Sequence, residues 1–174
     1  NLEDGTIWCW GENGAGQLND GSKDNQNKPV KSLFDTLPAQ ISGGMDDLVA
    51  ENGGAVSIWT GKKGVGIEGL SNVLNINGNR FQKGGCAVGL DGKAFCWGAD
   101  GKPVEVAGVS NAIAVGAGLD YGCAIDESQL VYCWGKNPNG ELGDGTTEDS
   151  AGGKKVIDLG AITALGVGAH HTCA

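Results

Sequence analysis

No stretch of this 174-residue chain approaches the roughly 18 consecutive apolar side chains that a helix needs to cross a membrane, and no secretory leader is legible at its start. Basic residues are scarce. Twelve Lys and Arg stand against 21 Asp and Glu, a formal charge of −9, which argues against nucleic acid and anionic membranes as partners, because both need Lys/Arg surfaces. There are only four prolines, and no capped amphipathic helix of useful length can be traced. No Cys-x-x-Cys occurs and no Cys precedes a His-x-x-x-His, so structural zinc is disfavoured. The start at Asn1 rather than Met is compatible with a mature or trimmed product from which an upstream signal or anchor has been removed.

What is abundant is glycine, at 33 residues, without a Gly-x-y period; that excludes collagen and points to many tight turns. Hydrophobic residues make up 40% of a chain long enough for a real core, so residues 1–174 read as one folded domain. Six cysteines, an even number, direct attention to their spacing.

The spacing exposes an internal repeat. Trp-Gly recurs at Trp10-Gly11, Trp97-Gly98 and Trp134-Gly135, with Trp59-Thr60-Gly61 as a looser copy. The intervals run from about 37 to 50 residues, near the 40–45 of a four-stranded propeller blade. Within a copy, a strand beginning Cys-Ala is followed by a turn and a strand ending Cys-Trp-Gly: Cys86-Ala87 leads to Cys96-Trp97-Gly98, and Cys123-Ala124 leads to Cys133-Trp134-Gly135. Asp91-Gly92 is a hairpin signal. Copy two has no Cys, and its equivalents are read as Leu48 and Ile58, replaced together as facing positions would be. Cys86–Cys96 and Cys123–Cys133 are therefore expected as cross-strand disulfides, the alternative being buried free thiols, and disulfides imply an oxidising compartment.

Copy one is divided between the termini. Joined end to start, Cys173-Ala174 stands ten residues before Cys9, and Asp4-Gly5 falls in register with Asp91-Gly92. The expected fold is all-β: a propeller of about four antiparallel four-stranded blades, the last shared by N- and C-terminal strands and locked by Cys9–Cys173, a device that protects edge strands. The repeats span about 39–70, 71–108, 109–159, and 160–174 joined with 1–38. The segments Val65 to Asn72 and Val104 to Asn111 match each other as the outer half of a blade.

These motifs resemble the regulator of chromosome condensation repeat: a small-residue strand, Cys-Ala-Leu, Asp-Gly, a hydrophobic-Cys-Trp-Gly strand, then Gly-Gln-Leu-Gly-Asp-Gly-Thr and Pro-Val. The last segment stands here as Gly16-Gln17-Leu18-Asn19-Asp20-Gly21-Ser22 with Pro29-Val30, and as Gly140-Glu141-Leu142-Gly143-Asp144-Gly145-Thr146. The resemblance covers essentially the whole chain, although family propellers usually carry seven repeats and copies two and three lack that segment. Trp-Asp propellers are disfavoured, since the repeat Trp is followed by Gly or Thr.

Catalytic chemistry is not legible. His170-His171, read as strand neighbours on opposite faces, cannot easily share a metal. No nucleophile elbow occurs. The stretch Asp20 to Asn27 fails calcium-loop spacing. No metal or other cofactor and no enzymatic activity is expected. The two long loops, about 12–28 and 136–154, are the candidate contact surface, through Gln17, Asp20, Lys23, Asp24, Asn25, Asn139, Glu141, Asp144, Thr146 and Glu148. Because the shared blade joins copies four and one, both loops are expected on one side of the ring. The expected function is an extracellular, periplasmic or cell-surface interaction, structural or adhesion module that binds a protein or cell-surface ligand, with assembly through the terminal blade as a further route. The alternatives are an inhibitor of an extracellular enzyme, since a propeller β-lactamase inhibitor resembles this repeat family, and the nucleotide-exchange and chromatin role of the family's namesake, which the acidic charge counts against.

Overall fold

Short runs of Val, Ile and Ala between glycine-rich turns leave room for strands of only a few residues, and the computed structural model, which describes residues 6–60 and 64–174, consists of strands without a helix among those residues. Asp4-Gly5 and Gly61 lie outside the described residues. Three four-stranded antiparallel sheets follow one another: β3 (Gln40–Gly43), β4 (Leu48–Asn52), β5 (Ala55–Trp59) and β6 (Gly64–Gly66); β7 (Val73–Gly78), β8 (Gly85–Gly89), β9 (Ala94–Trp97) and β10 (Val104–Glu105); β11 (Ala112–Ala117), β12 (Tyr121–Asp126), β13 (Val131–Gly135) and β14 (Ser150–Lys155). They are flanked by β1 (Trp8–Gly11) with β2 (Gln26–Lys31), and by β15 (Gly166–Val167) with β16 (Thr172–Cys173). This is propeller architecture, with strands in simple meander order within each blade.

The cross-strand disulfides form as expected: Cys86 faces Cys96 and Cys123 faces Cys133, and both pairs are bonded. In copy two the register differs by one. Val49, not Leu48, faces Ile58. The turn is anchored by Gly44, whose N–H donates to the Asp47 carbonyl, so Val49-Ala50 takes the place of Cys-Ala. The hairpin is one residue shorter because it turns on Gly53 and Gly54 alone, both at positive φ (60° and 86°), which glycine adopts without strain.

The core lies between blades. One cluster joins Val49, Val56, Ile67 and Leu70 of the β3–β6 blade to Val73, Ile76, Ala87 and Trp97 of the next. A second joins Cys86, Val88, Val106 and Val109 to Ala112, Val115 and Trp134. Trp97 and Trp134 thus dock on the preceding blade, 5% and 6% exposed, and each such burial contributes about 2–3 kcal/mol. Side chains of one inner strand also cap free N–H groups of the next. Gln40 Oε1 accepts from Ile76 N (3.3 Å) and Ser42 Oγ from Gly78 N (2.9 Å). One blade on, Asn75 Oδ1 accepts from Val115 N (3.1 Å) and Asn77 Oδ1 from Ala117 N (3.0 Å). At the third junction Ala114 and Gly116 stand in the two Asn places, and Val167 presses where a Cβ on Gly116 would sit, 2.4 Å from its Cγ2.

The expected joining of the termini is not made. The strands amount to four blades, but β1–β2 and β15–β16 are separate two-stranded sheets. Cys9 and Cys173 are free thiols; Cys9 Sγ accepts instead from Ser32 Oγ at 3.2 Å. Trp10, with no blade packed beside it among the described residues, is 63% exposed.

Alkylation of the folded protein without reduction should therefore label Cys9 and Cys173 and spare the other four cysteines, as read by mass spectrometry. Asn77→Ala, which strips Ala117 N–H of its acceptor, should cost about 1–2 kcal/mol, seen as a lower urea midpoint at unchanged m-value.

Candidate functional site

In an antiparallel blade the connections after the first and third strands lie at the same end. The turns 43–48, 78–85, 117–121 and 167–172 therefore share one face with the loops after β1, β5, β9 and β13. Two of those loops are long, and both are built around one buried asparagine. Asn137, 0% exposed, donates through Nδ2 to the Thr146 and Glu148 carbonyls (3.0 and 3.1 Å), accepts from Leu142 N at Oδ1 (2.9 Å), and donates its own N–H to Asp149 Oδ1 (2.9 Å). Asn13, also 0% exposed, repeats the pattern: Nδ2 to Asp20 Oδ1 (3.0 Å), Leu18 N to Oδ1 (3.0 Å), and its N–H to Asn25 Oδ1 (2.9 Å). Each loop leaves its strand through a bulge at Gly11 or Gly135, at φ 111° and 107°. Gly135 is required twice over, because a Cβ there would lie 2.4 Å from the Asp120 carbonyl oxygen.

Most of the polar residues expected to meet a partner are spent on this scaffold. Gln17 Oε1 accepts from Ala15 N (3.1 Å). Asp20 accepts from Ser22 and Gln26 as well as Asn13. Asn25 caps Asn13. Asp144 accepts from Thr146 N (3.0 Å) and Oγ1 (2.8 Å). Asn139 donates twice to Glu141 (2.8 and 2.7 Å). Lys23, Asp24 and Glu148 are exposed, and their side chains make no hydrogen bond or ion pair among the described residues. The two asparagine hubs were not singled out from the sequence, although each lies three residues after its Trp, a shared signal only in the copies with long loops.

Electrostatics follow from this wiring. Burial pushes the Glu141 carboxyl up, but hydrogen bonds from the Asn139 side chain and main chain, with His170 beside it, outweigh burial and hold it below the usual range. Asp20 is lowered chiefly by the Ser22 N–H, and Asp144 by the Thr146 hydroxyl and N–H. His170 and His171 are not strand neighbours; they occupy the β15–β16 turn. There His170 Nδ1 lies 3.5 Å from Glu141 Oε1, and the His171 ring covers Gly168. Tyr121 ties the same corner, donating to the His171 carbonyl at 2.6 Å. The two long loops share a face, and in chain order two short-loop blades stand between the sheets that carry them.

Asn137→Ala should cost about 2–3 kcal/mol, since it orphans buried main-chain groups, and should loosen the 138–149 loop in hydrogen exchange. Because Asp20, Glu141 and Asp144 are depressed in the folded state, their stabilisation is complete above the ordinary carboxylate pKa, near ~4, and is lost as pH falls through their lowered values. An acid titration of the urea midpoint should show that fall, and Glu141→Gln should flatten it.

Comparison with known proteins agrees with this architecture. The "Regulator of chromosome condensation (RCC1) repeat" pattern matches residues 4–46 and 129–174, and a second pattern of the same description matches 112–141. The chain is 29% identical over 148 residues to the E3 ubiquitin-protein ligase HERC2 of Homo sapiens and of Mus musculus, covering 83% of this chain and 3% of that protein. Among solved structures, human WBSCR16 superposes with a TM-score of 0.83 at 18% identity, over 98% of this chain and 53% of its own. Prp20p of Saccharomyces cerevisiae, described with its binding to Gsp1p and histones, gives 0.79 at 19% identity over 98% and 50%; the same yeast protein in complex with Kap60 gives 0.76 at 18% over 98% and 49%. The chain thus spans about half the length of these propellers. With the repeat pattern matched over more than half of its length and the blades superposing on those of its neighbours, the chain belongs to the RCC1 repeat family of β-propellers.

Proposed function

We propose that the chain is a non-catalytic, extracytoplasmic protein-interaction module that engages its partner through the face carrying the two long loops. The observation that carries this reading is the way the loops are built. Their asparagine, aspartate and glutamate groups are consumed in holding shape, so Lys23, Asp24 and Glu148 are offered from a pre-ordered frame. Loops fixed before contact lose little conformational freedom on binding, which favours affinity. Two disulfides in paired strands suit an oxidising compartment. The structural neighbour Prp20p is described as binding proteins, and the same use is proposed here for a different surface chemistry, at a net charge of −9.

A photo-cross-linking residue placed at Lys23, Asp24 or Glu148 should capture one discrete protein partner, while the same probe at Ser71 or Glu127, on the hairpin ends opposite the loops, should not. Equal labelling from both faces, or labelling only from the hairpin ends, overturns the reading. Rapid acid quenching and alkylation of the protein from its native compartment should find Cys86–Cys96 and Cys123–Cys133 oxidised; reduced thiols there would refute the extracytoplasmic assignment.

A further inference from the structure

The 136–149 loop does more than project: it inserts a leucine into the seam between its own blade and the next strand pair. Leu142, 0% exposed, sits among Tyr121, Cys123, Val131 and Cys133, with Ile162, Leu165 and Val167 of the following segment packed against the same cluster; Leu18, at the matching position of the other long loop, is 6% exposed. The β9–β10 connection has no such residue. It crosses in the few residues from Gly98 to Pro103, and the equivalent seam between the second and third four-stranded blades is left open as a cleft of about 510 Å³. Trp97, Trp134, Tyr121 and the Cys86–Cys96 disulfide form its walls, and Asp100, Lys102 and Asp120 stand at its rim.

The filled seams also indicate the charge of a fitting occupant. The residue before the plugging leucine faces the third residue of the neighbouring blade's first turn. In the filled seam these are Glu141 and His170, 3.5 Å apart. At the first seam the turn residue is Asp46, and the loop carries the neutral Gln17. In the open seam the turn residue is Asp120, because Gly118 N donates to the Tyr121 carbonyl just as Gly168 N donates to that of His171. Asp100 adds a second carboxylate at the rim. Lys102 is the cation among the residues lining the cleft, and Lys136, whose N–H donates to the Asp120 carbonyl, is held by Asp149 at 2.6 Å.

Resting on the interaction reading above, we propose that this cleft is a docking site for a partner protein's tight turn that presents a glycine-flanked basic residue followed by leucine. The leucine would take the place that Leu142 takes one seam on, with the basic side chain toward Asp120.

The test uses the whole chain and three cyclic peptides with the cores Gly-Lys-Leu-Gly, Gly-Glu-Leu-Gly and Gly-Lys-Ala-Gly, followed by the indole and amide NMR signals. The Lys-Leu peptide should shift the Trp134 indole signal together with the amides of Asp100 and Asp120. The Glu-Leu peptide should bind about tenfold more weakly, equivalent to about 1.4 kcal/mol of charge mismatch, and the Lys-Ala peptide should not shift the indoles. In D120K, a substitution at an exposed side chain, the Lys/Glu preference should reverse. No indole shift with millimolar Lys-Leu peptide, equal shifts with the Lys-Ala peptide, or an unchanged preference in D120K overturns the proposal. Those outcomes leave the partner contact at Lys23, Asp24 and Glu148 standing, because cross-linking reads that surface separately.

Discussion

A blade of this propeller cannot bury its own apolar face; its neighbour must do so. Val49, Val56 and Ile67 lie on one blade and Trp97 on the next, and none would be dry without the other. Everything else in the molecule is arranged around that seam. The inner strands add polar staples across it, Gln40 and Ser42 to the second whole blade, Asn75 and Asn77 to the third. The first turns are linked along the same face, Met45 N to the Asn79 carbonyl and Leu119 N to that of Ala169. The interior is thus a series of seams, in which stability is a sum of neighbour terms.

The same constraint explains the loops. A seam can be capped in cis by a loop leucine, as Leu142 of Gly140-Glu141-Leu142-Gly143 does, or left open. Capping requires a long excursion, and a long excursion requires its own polar skeleton, which Asn13 and Asn137 organise. The residues that look most like ligands by composition are therefore structural, and the ones left for recognition are few. Prp20p and WBSCR16 superpose on these blades at 18–19% identity, which shows the fold and leaves the surface chemistry to this chain's own residues.

The disulfides belong to single blades rather than to the seams. Cys86–Cys96 and Cys123–Cys133 each join neighbouring strands ten residues apart, contributing about 2–3 kcal/mol in the chain-entropy account. They stiffen the sheets that the seams then hold together. Copy two does without a bridge because Val49 and Ile58 fill the facing positions with carbon.

The repeat, the strand pairs and two of the disulfides were legible in the sequence, because all are local: period-two alternation, an Asp-Gly or Gly-Gly turn and a ten-residue Cys spacing decide them within one hairpin. In copy two the sequence alone pointed to Leu48, one residue off, and only the pairing of Val49 with Ile58 behind the Gly44–Asp47 hydrogen bond resolved the register. The separation of Cys9 from Cys173 was not legible at all. Their spacing around the repeat suits a bond, but whether they meet depends on how every blade between them packs on its neighbour, a sum of non-local contacts such as those of Trp97, Trp134 and Val167. The inward turn of Asp20, Glu141 and Asp144 was likewise a tertiary matter. Their sequence says only that they are acidic, and it took the buried amides of Asn13 and Asn137 to hold Asp20 and Asp144 in the loop frame, and Asn139 with His170 to hold Glu141.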